Sequence, residues 1–338
     1  MNLQSWTPGR VNLIGEWIDF SGGTVLPASL PLGVEITLDP SPDNFDHVTS
    51  AQFPGKASAE QDAPAQKHWA DYVFGALQTA RKQGWIKGAQ TVRLDSTIPA
   101  GAGVSSSAAV TVGVLKACVP NGVDPTRIAL LAQSVENEFI GVPCGIMDQM
   151  AVAHARPGEA LALDTRALKF EQLAIPEGWT FAVINSGIER KLADGRYKER
   201  RDACLAAAKY LGIDYLCDAE DLSALPSNLH PIGQHVLSED ARSRAAIAAL
   251  RRSDALAFGH QMLASHASLR KDFKVSTPEI DALVDDAVQL GAWGARITGA
   301  GFGGCIVVLL VDIKPAQWWA DLHAAHPASR WICDVKAG

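Results

Sequence analysis

The residues best suited to chemistry lie in a few short stretches. The run Ile98-Pro-Ala-Gly-Ala-Gly-Val-Ser-Ser-Ser-Ala-Ala109 holds two glycines, Gly101 and Gly103, and three serines. Glycines let the backbone bend sharply and come close to a ligand. A helix starting after them would aim unpaired N–H groups and the positive end of its dipole into the loop, which suits an anion such as phosphate. The hydroxyls could add hydrogen bonds or an oxygen ligand for Mg2+. A small-residue turn with a serine N-cap fits the same letters. A Walker loop is excluded because no Gly-Lys-Ser/Thr follows, and a nucleophile elbow because Gly-x-Ser-x-Gly is incomplete.

Further along, Asp148 is the one charged residue between positions 141 and 153. It reads as a helix-start cap or as a functional acid, and spacing alone favours the cap. Glu136 lies on the flank of the apolar stripe Ile128, Leu131, Ala132, Val135 and Phe139, where an acid is ordinarily solvated. Near the start of the chain, Arg10, Glu16 and Asp19 sit in a short glycine-bounded segment. Two carboxylates and a guanidinium there suit a polyol, whose hydroxyls need partners in set directions. A turn with surface charges is the competing reading. Trp69 could stack on a base, although an aromatic at helical spacing also belongs in a core. Gly299, Gly301 and Gly304 match Gly-x-Gly-x-x-Gly, but Cys305 begins a run of β-branched and aliphatic residues rather than a helix. The dinucleotide reading therefore fails, and a strand-loop-strand hairpin with a glycine tip replaces it.

The elements that must carry these residues follow from periodicity. Strands are expected over 91–94, at 11–14 and over 180–186, and a helix over 108–117. Residues 69–80 read as an amphipathic helix. Asp124-Pro125 opens another, with aspartate as cap and proline at the first helical position. A basic helix begins at Arg196, with Tyr197 in its first turn. Helical patterns fill 240–290, with breaks near Gly233 and Thr277-Pro278, and 40–66 reads as loop and strand-edge material.

Composition narrows the function. The 338 residues, 47% hydrophobic and 20% charged, can form two domains or one large one. A net charge of −7 gives no general nucleic-acid surface. Six scattered cysteines without Cys-x-x-Cys spacing argue against a metal cluster or a disulfide framework. Neither a signal peptide nor a long uncharged apolar span is found, so a cytoplasmic protein without membrane contact is expected.

Three of these stretches occur in a telling order. Arg10-Val-Asn-Leu-Ile-Gly-Glu16 with Asp19, then 98–109, then Gly299-Ala-Gly-Phe-Gly-Gly304 resemble the three motifs of the GHMP small-molecule kinases, and within them those of galactokinases. Pro143-Cys-Gly-Ile-Met-Asp-Gln149 resembles the galactokinase segment that carries the catalytic aspartate. The segments 265–270, 185–186, Tyr197 and Arg200-Arg201 keep the expected order, and the similarity runs from about residue 6 to about 311.

The resemblance implies an α+β, two-domain GHMP kinase fold with the active site in the interdomain cleft, an N-terminal domain over 1–165 and a C-terminal domain over 166–338. It implies an ATP-dependent sugar 1-kinase that passes the γ-phosphate directly to the anomeric hydroxyl of galactose or a close analogue. Gly101, Ala102, Gly103, Val104, Ser105, Ser106 and Ser107 would wrap the ATP phosphates, and Trp69 would border the adenine. Ser107 and Glu136 would hold Mg2+. Asp148 would take or orient the sugar's proton, and Arg10 would stabilise the phosphoryl charge and keep Asp148 ionised. Glu16, Asp19, Gly145 and Tyr197 would bind sugar hydroxyls, with Trp17 and Cys144 beside them. The partners implied are the sugar and ATP alone, with a monomer favoured. One departure stands out: galactokinases usually read Gly-Glu-His-Thr-Asp-Tyr where this chain reads Gly15-Glu-Trp-Ile-Asp-Phe20. Trp17 replaces a histidine that helps hold the sugar's 6-hydroxyl, which admits an L-arabinokinase or a fucokinase as alternatives. A non-catalytic sugar sensor is a further one, weakened by the presence of Asp148, Arg10, Glu136 and Ser107.

Overall fold

Alternation at Val34, Ile36 and Leu38 buries one face of a long strand, and the rest of the first sheet assembles on it. The computed structural model describes residues 3–99, 101, 103–189 and 195–338. The chain forms two compact units. The first comprises Met1–Arg10, Leu30–Ala100 and Val104–Ala155, the second Val11–Ser29, Gly101–Gly103 and Arg156–Gly338. Each unit is assembled from three stretches of the chain, and the strands 3–12 and 27–40 each have residues in both.

Up to residue 153 the chain forms β1 (Leu3–Asn12), the two-residue β2 (Thr24–Val25), β3 (Pro27–Pro40), β4 (Phe45–Ser50), β5 (Lys56–Glu60), α1 (Asp71–Lys82), β6 (Gln90–Ser96), α2 (Ser106–Cys118), α3 (Pro125–Ser134), a π-helix (Val135–Ile140) and α4 (Met147–Ala153). In the first unit β3 pairs antiparallel with β6, β6 runs parallel to β4, and β4 pairs antiparallel with β5. The 40–66 stretch thus holds two strands that its polar letters hide. Buried Asp46 explains why: it takes Arg81 Nη2 at 2.6 Å and the Gln90 N–H at 2.8 Å, so its charge is satisfied inside. Asp124 caps α3 as expected, accepting from the Thr126 N–H.

The small residues of α2 let it lie close to the sheet. A Cβ on Gly113 would sit 2.4 Å from Ile36 Cδ1 and 2.6 Å from Thr7 Oγ1. Ser5 and Thr7 of β1 donate their hydroxyls to the Gly113 and Ala109 carbonyls, both at 2.7 Å. Gly113→Val is expected to lower stability by about 2 kcal/mol through overpacking, read as a fall in Tm.

The second unit contains β7 (Glu159–Asp164), β8 (Lys169–Ala174), β9 (Trp179–Asn185), α5 (Arg196–Leu211), α6 (His230–Arg251), α7 (Ala255–Lys271), α8 (Pro278–Gln289), β10 (Gly294–Ile297), β11 (Cys305–Val311), α9 (Pro315–Ala325) and β12 (Arg330–Lys336). Its main sheet is antiparallel in the order β10-β11-β9-β12. β10 and β11 are the two arms of the expected glycine-tipped hairpin, with Ile297 opposite Ile306. The expected break at Gly233 does not occur, since Gly233 lies inside α6. A Cβ there would come within 2.9 Å of Leu222 and Leu225, so the glycine serves close packing rather than a turn. The break at Thr277-Pro278 holds, with Thr277 capping α8. Among the described residues no helix is long and apolar enough to cross a membrane.

Candidate active site

In the first unit the chemistry gathers around Asp148. Arg10, almost wholly buried, donates Nε to Asp148 Oδ1 at 2.7 Å and Nη2 to Oδ2 at 2.8 Å. This is a bidentate, charge-assisted pair. Ser105 Oγ donates to Oδ2 as well. Asp148 therefore is not a cap: no side chain caps α4, and the carboxylate turns to the guanidinium instead. Its side chain keeps 29% of its surface exposed. Among the described residues three of its four acceptor positions are filled, which leaves one lone pair of Oδ1 for an incoming hydroxyl.

Ser105 occupies the N-cap position of α2 in a left-handed conformation, φ 61°, but gives its hydroxyl to Asp148 rather than to the helix. The serine-cap reading therefore fails, and the first turn of α2 carries no side-chain cap. Gly101 and Gly103 have φ of 72° and 73°, the region where glycine is at ease. Val104 is buried, and its carbonyl accepts the Arg10 N–H at 3.2 Å, which ties the loop to β1. Ser106 is exposed. Ala102 lies outside the described residues.

Glu136 is buried, against the solvated reading of its position. It lies one and two turns beyond Ala132 and Ala129, both buried, so it shares the inward face of α3 where the π-helix begins. Gln149 Nε2 donates to its Oε1 at 2.8 Å, and the Ser107 side chain hydrogen-bonds it too. Burial pushes its carboxyl up to about 7, with Asp148 adding to the shift; Gln149, Ser107 and Arg10 oppose it. The neighbouring Tyr72 phenol is pushed up to about 12, first by burial and then by the Glu136 charge. A buried carboxylate beside a hydroxyl is an oxygen donor set suited to a cation. It fits Mg2+, a hard ion held by one or two carboxylates together with substrate phosphates. Among the described residues no cluster of three or more His, Cys, Asp or Glu is arranged for a metal.

Cys144 is clamped by Asn137, which accepts its N–H at 2.7 Å, while Gln133 Nε2 donates to its carbonyl at 3.2 Å. Gly145, buried, follows it toward Asp148. Trp69 precedes α1, half-buried, and stacks on Phe53 with centroids 4.9 Å apart at 11°. Sequence reasoning missed Phe53, a lone aromatic in a polar stretch.

The remaining expected residues belong to the second unit. Glu16 is 1% exposed. Its Oε1 accepts from Thr298 Oγ1 at 3.0 Å and from the Gly299 N–H at 2.5 Å, and its Oε2 from Asn12 Nδ2. Much of its acceptor capacity thus ties the loop to the glycine hairpin. Trp17 is left-handed, φ 69°, and its ring meets Tyr197 at 4.8 Å, Phe273 at 5.1 Å and Phe20 at 6.3 Å. Its indole N–H is buried with no partner among the described residues. Asp19 is partly exposed on the same loop, and Tyr197 lies in the first turn of α5. Phe273 carried no sequence signal beyond an apolar letter.

Comparison with known proteins adds three matches to family models. GHMP kinases N terminal domain matches residues 71–156, GHMP kinases C terminal matches 246–317, and Galactokinase galactose-binding signature matches 5–40. A galactokinase of Thermococcus kodakarensis is 37% identical over 315 residues, covering 91% of this chain and 89% of that protein. The crystal structure of Lactococcus lactis galactokinase complexed with galactose is similar, with a TM-score of 0.92 at 28% identity over 100% of this chain and 94% of that one. The Methanococcus jannaschii mevalonate kinase shares the fold, with a TM-score of 0.74 at 20% identity, covering 100% of this chain and 99% of that one.

Proposed function

This chain belongs to the galactokinases of the GHMP kinase superfamily, and from that premise we propose how its own residues transfer a phosphoryl group. The reaction is ATP plus galactose giving ADP and galactose 1-phosphate. The forked Arg10–Asp148 pair carries the assignment of roles. The anomeric hydroxyl donates to the open lone pair of Asp148 Oδ1, and its proton passes to that carboxylate. The sugar oxygen forms a bond to the γ-phosphorus as the bond to the bridging β,γ-oxygen breaks, and ADP leaves. No phospho-enzyme forms. Arg10 holds the carboxylate in orientation and faces the growing phosphoryl charge.

The uncapped first turn of α2, with Ser105, Ser106 and Ser107, holds the phosphates, and Gly101, Gly103 and Val104 shape the approach. Trp69, backed by Phe53, offers a ring to the adenine. Ser107 and Glu136 hold Mg2+, which when bound neutralises charge on the phosphates. Glu16, Asp19, Cys144, Gly145 and Tyr197 receive the sugar, with Trp17 closing part of that surface. The scattered cysteines, none in Cys-x-x-Cys spacing, support a reducing, cytoplasmic setting.

The arabinokinase, fucokinase and sensor readings are not favoured by these relatives, and the galactose-binding signature spans Trp17 and Ile18. A coupled ADP-release assay with MgATP and a sugar panel tests this. Galactose is expected to exceed L-arabinose and D-fucose in kcat/KM by about tenfold or less, since Trp17 stands where galactokinases carry the histidine that helps hold the 6-hydroxyl those sugars lack. Preference for either of those sugars would make Trp17 the centre of an altered specificity. No ADP release with any sugar would defeat the kinase reading.

A further inference from the structure

Under the 12–17 loop lies a knot of buried charge that the reaction so far leaves without a role. Glu239, on α6, has no exposed surface. Its Oε1 accepts the N–H groups of Gly15 (3.0 Å) and Glu16 (3.3 Å) and the hydroxyl of Ser265 (2.7 Å). Its Oε2 accepts Arg242 Nε at 2.8 Å. Arg296, on β10 and equally buried, donates Nη1 to the carbonyls of Asn12 (3.3 Å) and Leu13 (3.2 Å), and Nε to Ser265 Oγ (3.1 Å). It lies 3.6 Å from Glu16 Oε1 and 3.8 Å from Glu239 Oε1. Burial opposes the charge on Glu239, yet the cations around it, Arg296 foremost, hold its carboxyl at about 2.

Such a knot is a poor device for stability alone. Apolar residues of similar volume usually do as well in a core. What distinguishes this one is what it grips. Glu239 takes N–H groups of the loop, Arg296 takes its carbonyls, and Glu16 reaches from the loop to Thr298 and Gly299 of the hairpin. The backbone of residues 12, 13, 15 and 16 is thereby held from below by two side chains of opposite charge. Asp148, Glu136 and the serines of 105–107 belong to the other unit.

We propose that Glu239 and Arg296 are positioning residues of the sugar site, setting the 12–17 loop so that the remaining acceptor of Glu16, and Asp19 beyond it, meet the sugar's hydroxyls. The proposal rests on the reading that this loop receives the sugar. It separates sugar binding from nucleotide binding: loosening the knot weakens the first and spares the second.

The test is steady-state kinetics of the full-length protein with galactose and MgATP, beside a thermal melt of each variant. Glu239→Gln keeps an acceptor for the Gly15 and Glu16 N–H groups but removes the charge that opposes Arg296. It is expected to raise the galactose KM by about tenfold and to leave the MgATP KM within about twofold. Ser265→Ala, which removes only the hydroxyl between the two, is expected to raise the galactose KM by about threefold, and it supplies the reading should the first variant not fold. The double variant Glu239→Gln/Arg296→Met removes both charges and should still bind galactose poorly, even if it melts no lower than the wild type. A galactose KM within about twofold of wild type in the folded variants would make the knot scaffold only, as would an equal rise in both KM values. A wild-type protein that turns over no sugar would instead defeat the kinase reading itself, so the two failures are told apart.

Discussion

Asp148→Asn is expected to lower kcat by about a thousandfold while the MgATP KM changes by less than about threefold, because a positioned base contributes on the order of 10²–10⁴ to such a step. Asparagine keeps the shape of the side chain and one oxygen for the Arg10 fork. It cannot accept the anomeric proton, and its NH2 group faces a guanidinium or the Ser105 hydroxyl where an acceptor stood. The phosphate-facing groups of α2 are untouched, which is why nucleotide binding should survive. Initial rates give kcat, and calorimetric titration with MgATP gives the binding arm. Unimpaired turnover would remove Asp148 from the mechanism.

Glu136→Gln is expected to do two opposite things. The glutamate's carboxyl is pushed up to about 7 in the folded protein from its ordinary 4.5, chiefly because burial disfavours its charge. A raised carboxyl favours folding only in its protonated form, so the native protein loses stability as pH climbs from the free value through about 7 and stays lower above it. Glutamine carries no charge and can still accept from Gln149. At pH 8 the variant should therefore melt higher without metal, by an amount on the order of 2 kcal/mol in stability, and the difference should vanish near pH 4.5. Turnover should fall by about a hundredfold or more, because the carboxylate oxygen proposed to hold Mg2+ is gone. In the wild type the same ionisation makes Mg2+ binding release a proton below pH 7, so apparent Mg2+ affinity should rise with pH through that value. A variant that melts lower at pH 8, or an Mg2+ dependence that is flat in pH, would contradict this account.

Local signals were read well where one residue type permits one local structure. Asp124-Pro125 marked a helix start, and the aliphatic run after Cys305 marked a strand against the lure of a nucleotide fingerprint. Gly233 misled because a glycine needed for close packing inside a helix looks the same in sequence as one that ends it. Glu136 misleads because an acid beside an apolar stripe looks solvated, although its helical spacing from Ala129 and Ala132 puts it on the buried face. The partners of the site were beyond spacing altogether: Arg10 and Asp148 meet across 138 positions, and Glu239 reaches Gly15 across 224. In the string Ser238-Glu-Asp-Ala-Arg, Glu239 looks like any solvated acid, and only tertiary structure shows it fully buried.

Among the non-glycine residues with left-handed backbones, Trp17 stands in the loop proposed for the sugar and Ser105 beside the Asp148 carboxylate. Each holds that conformation at a cost of about 1 kcal/mol or more, which the surrounding contacts sustain. Glycine at either position would relax the chain, and selection for heat tolerance alone should find it readily. The same exchange deletes an aromatic wall in one place and the hydroxyl on Asp148 in the other. Thermostable variants recovered without an activity screen should thus be enriched at positions 17 and 105 and be slow catalysts. Breeding a durable form of this enzyme means leaving Trp17 and Ser105 alone.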